Sequence, residues 1–222
     1  VICVTTPSVS DARGTLVPRL DVLAAGCAFV ARTLLAPPDP DLLARVGAEG
    51  FMATWPLRDE DSRTGADLVA RGAAEPLLDI ARDYQRLFVG PGPLLAPPYE
   101  SVHTTRDRLL FEAPTLEVRA AYRAFGQMAP ALGREPDDHL GLELDFLAHL
   151  CGRALDAVDT HDELALDTTL AAQQEFLHRH LGRWGADCFR LVEAHARTSF
   201  YRGVALLGLG VLAEAEDLLR AP

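Results

Sequence analysis

Leucine and alanine dominate this chain of 222 residues: 36 Leu and 34 Ala stand against 15 Val and only 2 Ile. Strong helix formers therefore outnumber the β-branched residues that favour pleated sheets, and the expected fold class is all-α. A single globular helical domain of about 200 residues is long enough to bury a substantial core. All 21 cationic residues are arginine, and 32 carboxylates leave a formal net charge of -11. So acidic a chain repels polyphosphate, which argues against nucleic acid and anionic membranes as partners. The absence of lysine also removes Schiff-base and Walker-type chemistry.

The four cysteines, Cys3, Cys27, Cys151 and Cys188, form no CxxC pair. Neither a zinc knuckle nor a disulfide framework is expected, and a reducing, cytoplasmic setting is the simplest reading. No targeting segment is expected, nor stable membrane insertion: the longest uncharged stretches, Val22 to Ala31 and Gly203 to Ala213, fall short of the roughly 20 residues a spanning helix needs.

Apolar periodicity predicts about eight to ten helices. Residues 1–14 read as a flexible N-terminus, and the helical domain as residues 15–222. Leu20, Leu23, Ala24, Cys27, Val30, Ala31 and Leu34 mark a first helix that ends at Pro37 and Pro38. A second is predicted over Asp39 to Phe51, a loop over Thr54 to Thr64, and helix over Ala66 to Phe88 with a break at Pro76. Five prolines between Gly90 and Pro114 predict a long irregular segment. Helix resumes near Leu116 and breaks over Pro130 to Pro136. Asp137 and Asp138 then offer N-caps to a helix with the stripe Leu140, Leu144, Leu147, Cys151, Leu155 and Val158. Three more helices are predicted over Leu166 to Leu181, Ala186 to Ala196 and Phe200 to Leu219.

Motifs for catalysis are weak. Gly208-Leu-Gly210-Val-Leu-Ala213 has the relaxed dinucleotide spacing but too few residues after it for a βαβ unit, so close helix packing explains it better. Glu175 and His178 have the ExxH spacing of di-iron bundles, and His139 and Glu143 lie four apart. A small metal-dependent helical enzyme built on these four residues is the competing reading, although no second ExxH exists.

Two clusters carry more information. One runs from Tyr84-Gln85-Arg86-Leu87-Phe88-Val89-Gly90-Pro91 to Pro97-Pro98-Tyr99-Glu100-Ser101-Val102. The other is Glu135-Pro136-Asp137-Asp138-His139-Leu140-Gly141-Leu142-Glu143-Leu144. Spacing alone fits plain core for Tyr84, Leu87 and Phe88, a loop anchor for Tyr99, and caps for the two aspartates. Together, however, the clusters resemble the TorD/DmsD family of cytoplasmic redox-enzyme maturation chaperones, whose members read YxxLFxGP, then PPYESV, then EPDDHxxxELxFLxxL. Phe176, His180, Leu181, Trp184, Phe200 and Tyr201 extend the resemblance, which covers about Leu20 to Leu219. His103 departs from it, standing where an aromatic residue is common.

The resemblance implies an all-helical chaperone that binds the twin-arginine signal peptide of a molybdopterin oxidoreductase catalytic subunit in its apo form and delays export until the cofactor is inserted. Carried over residue by residue, peptide binding falls on Tyr84, Leu87, Phe88, Pro98, Tyr99, Asp138 and His139, with Ser101, Asp137, Glu143 and Glu135 as neighbours. An acidic turn suits guanidinium groups, and an aromatic and leucine groove suits the apolar run that follows them. No catalysis, metal or cofactor is expected; GTP finds no phosphate-cradling motif here. The family includes monomers and domain-swapped dimers, with residues 129–136 as a candidate swap hinge.

Overall fold

A computed structural model of the chain describes residues 9–107, 109–129 and 136–220, with side chains described from Gly14 onward. Among the described residues there are ten α-helices and no strand. They are α1 (Val9–Leu35), α2 (Pro40–Val46), α3 (Glu60–Gly72), α4 (Leu77–Tyr84), α5 (Glu100–Thr104), α6 (Ala113–Ala124), α7 (Leu140–Asp159), α8 (Glu163–Arg179), α9 (Leu181–His195) and α10 (Ser199–Leu219). The hinge expected at 129–136 lies largely outside the described residues, as do Glu135, Cys3 and residues 1–8.

Two long helices organise the core. Helix α7 packs against α1 and α8, and α10 packs against α3, α9 and α1. The expected stripe on α7 is realised: Leu140, Leu144, Leu147 and Cys151 are wholly buried. Helix α1 between Gly14 and Leu35 is long and apolar enough to cross a bilayer, a length that counting uncharged residues did not register. Here it is a core helix, with Leu20, Leu23, Cys27, Val30 and Leu34 buried to zero exposure.

The approach of α3 to α10 depends on glycine. A Cβ on Gly203 would lie 2.7 Å from the Gly65 carbonyl oxygen, and one on Gly65 would lie 2.9 Å from that of Gly203. The Gly208/Gly210 string serves the same end, opposed by the Phe189 ring and the Ser62 hydroxyl. It is a packing device, as the missing βαβ context implied.

Several boundaries shift from the sequence reading. Helix α1 begins at Val9 and runs through Pro18. The loop expected over Thr54 to Thr64 ends early because Asp59 caps α3, its carboxylate accepting from Ser62 N at 2.9 Å. The 66–88 helix is interrupted before Pro76 as expected, but α4 widens into a π-turn over Gln85–Val89 that closes at Gly90. Inside the proline-rich segment sits α5, which no periodicity announced.

Candidate functional site

The two sequence clusters meet at a short antiparallel crossing of residues 98–100 with 138–140. Glu100 N donates to the Asp138 carbonyl at 2.9 Å and Leu140 N to the Pro98 carbonyl at 2.8 Å, which makes Tyr99 and His139 directly opposed residues. Side chains alternate across such a backbone, so the opposed pair projects to one side and its neighbours to the other. Tyr99 and His139 are half-buried, their rings edge-to-face at 5.3 Å. Pro98, Glu100, Asp138 and Leu140 are buried beneath them.

The buried side of the crossing is a polar network. Asp138 Oδ2 accepts from Ser101 N at 2.8 Å, and Oδ1 from the Thr115 hydroxyl at 2.7 Å. Asp137 is held by Arg119 at 2.6 Å, and its carbonyl accepts from the Tyr122 hydroxyl. Glu100 Oε2 pairs with His180 Nδ1 at 2.9 Å. Glu143 Oε2 accepts from the indole Nε1 of Trp184 at 3.3 Å, while among the described residues its Oε1 and the Ser101 hydroxyl make no hydrogen bond. Burial, with Glu100 and Asp138 close by, holds the Glu143 carboxyl well above the usual carboxylate range.

These contacts correct the role expected of the two aspartates. Neither caps α7: His139 does, its Nδ1 accepting from Gly141 N at 3.0 Å. Burial lowers the His139 pKa to about 4, against a smaller opposing pull from Asp138, so the ring is neutral and Nδ1 is free to accept. Asp137 and Asp138 are wholly buried and bonded within the fold. They hold the crossing together and offer no carboxylate to a ligand at the surface.

Tyr84, Leu87 and Phe88 are core residues. Tyr84 donates to the Leu34 carbonyl, and its ring meets Phe88 at 5.4 Å and Tyr201 at 6.2 Å, while Leu87 is fully buried. Of the ten described residues among those assigned to the site, only Tyr99 and His139 are more than marginally exposed. His103 occupies the place of the usual aromatic by packing its ring at 5.1 Å from Trp184 and bonding the Pro97 carbonyl. Arg119 and Thr115 received no role from the sequence, because their partners lie 18 and 23 residues further along the chain.

The four residues of the metal reading are not brought together. Glu175 pairs with Arg179 on the outer face of α8, where His178 is also exposed, whereas Glu143 is buried against Trp184. Among the described residues no group of three or more His, Cys, Asp or Glu side chains could hold a metal ion.

Comparison with known proteins places the chain in a family. The family model described as "Nitrate reductase delta subunit" matches residues 57–190. The chaperone protein TorD of Vibrio cholerae is 36% identical over 107 residues, which are 48% of this chain and 47% of that protein. The Tat proofreading chaperone DmsD of Salmonella typhimurium is 29% identical over 174 residues, 78% of this chain and 77% of that protein. The chain thus spans about half the length of the Vibrio cholerae relative and about three quarters of the Salmonella one. The family match takes in more than half of the chain and both arms of the Tyr99 and His139 crossing, so the chain belongs to the TorD/DmsD family, within the nitrate reductase delta subunit family.

Proposed function

We propose that the protein is a cytoplasmic chaperone of redox-enzyme maturation that binds the twin-arginine signal peptide of an apo molybdopterin oxidoreductase subunit and delays its export, acting by binding rather than catalysis. The names of its relatives, a TorD chaperone and a Tat proofreading chaperone, support the class. The observation that carries the site is the Tyr99 and His139 pair: two rings, half-open to solvent, mounted on a crossing whose backbone is fixed by two hydrogen bonds. Such a rigid aromatic surface offers contact area to an extended or helical apolar segment at little entropic cost. Pro98, Ser101, Asp137, Asp138 and Glu143 act as positioning residues beneath it, and Tyr84, Leu87 and Phe88 as the core that supports the preceding loop. The net charge of -11 speeds encounter with a cationic segment.

The test is titration calorimetry with a synthetic peptide of two adjacent arginines followed by roughly 12 leucine and alanine residues. Tyr99→Ala and His139→Asn should each weaken binding about tenfold or more. Binding unchanged in both variants would remove the proposed site.

A further inference from the structure

Burial takes Asp137 and Asp138, the two described carboxylates expected to meet the arginines of the proposed ligand, away from the Tyr99 and His139 surface. Nearly two turns further along α7 the molecule provides an exposed one. A cleft of about 470 Å³ opens between the C-terminal end of α1, the α1–α2 turn and α7. Its wall is apolar, formed by Leu35, Pro37, Pro38 and Leu42, and its charged groups are Arg32, Asp39 and Asp145. Arg32 and Asp39 are committed to each other, and Asp39 also caps α2 through Leu42 N. Asp145 is exposed and makes no hydrogen bond or ion pair among the described residues. The cleft therefore carries one uncompensated negative charge beside an apolar wall.

Gly141 lies buried between the aromatic pair and the wall of the cleft. That residue's amide is bonded to His139, and a Cβ on it would lie 2.8 Å from Leu35 Cγ in the cleft wall. Asp145 is four residues after Gly141, on the same face of α7. It lies six residues beyond His139, about 9 Å along the helix axis and roughly 120° around it, which at the radius of the side chains separates the two by about 13 Å. Four residues of extended peptide cover about 13 Å. A chain whose apolar run lies on Tyr99 and His139 thus brings an arginine about four residues away to Asp145.

We propose, building on the peptide-binding reading above, that this cleft is the arginine subsite: an arginine of the signal peptide lays its methylenes along Leu35, Pro37 and Pro38 and gives its guanidinium to Asp145. Arginine suits the geometry because its weakly hydrated planar head tolerates an apolar wall while its fork binds a carboxylate bidentately. The carboxylate that reads the ligand is then separate from the ones that build the site.

Two peptides and two variants test the assignment by calorimetry. One peptide carries two arginines before its apolar run, and in the other both are glutamine. Asp145→Asn should weaken the arginine peptide about tenfold, the loss of one charge-assisted pair, and leave the glutamine peptide unchanged. Asp159→Asn, which removes the same charge from the far end of α7, should alter neither by more than about twofold. An arginine peptide bound equally by the wild type and Asp145→Asn overturns the subsite and leaves the Tyr99 surface standing. An equal loss in Asp159→Asn overturns it too, because general charge steering then accounts for the effect. Failure of the wild type to bind either peptide overturns the Tyr99 surface, and the subsite with it.

Discussion

Asp138 accepts a hydrogen bond from the backbone amide of Ser101 at 2.8 Å, so the residue before the cap of α7 caps α5, 37 residues earlier in the chain. The Asp138 carbonyl takes the preceding amide, Glu100 N, as well. A five-residue helix is too short to persist by itself. It forms here because two of its orphan amides are satisfied from outside, and it then fixes Tyr99 opposite His139.

Removing that carboxylate should cost stability before it costs recognition. Asp138→Ala leaves the Ser101 amide and the Thr115 hydroxyl buried without partners, and we expect a loss of about 2 to 4 kcal/mol in denaturant unfolding. Asp138→Asn retains one acceptor and should lose about half as much. Equal stability of Asp138→Ala and the wild type would show that the crossing does not depend on this bond.

Acid should weaken the site through His139. Its folded pKa of about 4 lies below the usual 6.5, so the unfolded state binds the proton more readily. The contribution is complete above pH 6.5 and is lost as pH falls toward 4. Allowing for the ring's partial exposure, the loss is about 1 to 3 kcal/mol. His139→Asn keeps an acceptor for Gly141 N and cannot titrate, so its stability should lack this slope when chemical denaturation is repeated from pH 7 to pH 4.

Glu143 gives the opposite sign. Its pKa is raised in the folded protein, so its neutral form is favoured there while the unfolded chain ionises from about pH 4.5 upward. Stability drawn from this group falls as pH rises from that point toward the folded pKa. Glu143→Gln removes the penalty, and the variant should be more stable than the wild type at pH 8 and no more stable at pH 4. Because the His139 and Glu143 slopes oppose each other between pH 4.5 and 6.5, the two variants resolve what the wild-type curve merges.

Close packing of α3 on α10 makes a test independent of the site. Gly203→Ala places a methyl 2.7 Å from the Gly65 carbonyl oxygen and 2.7 Å from Val69 N, both backbone atoms. Separating the helices should cost about 1 to 3 kcal/mol, read as a lower melting temperature. A Gly152→Ala control, with open space around its Cβ, should melt at or slightly above the wild-type temperature.

Much of the fold was legible because helices are written in local periodicity. The stripes on α1 and α7 name residues that are buried, and α1 ends at Leu35, just before Pro37 and Pro38, as expected. Helix α5 and the start of α3 were not legible as helices. The first has no stripe and is capped from a distant residue, and the second begins on polar residues behind the single cap Asp59. Asp137 and Asp138 were misread for the same reason: standing just before an apolar stripe, they look like its caps, and nothing local says that their partners are Arg119, Thr115 and Ser101.

The sequence by itself determined that this chain is helical and to which family it belongs, since composition, 3.6-residue periodicity and contiguous motifs are all properties of neighbours along the chain. Only the tertiary structure decided which motif residues face water. That choice depends on residues 98–100 pairing with 138–140, because the alternation of side chains about a bridge has no sign until its partner is in place. Once paired, the crossing turns Tyr99 and His139 outward and the carboxylates of Glu100 and Asp138 inward. What looked like an acidic docking turn is therefore the internal scaffold of an aromatic surface.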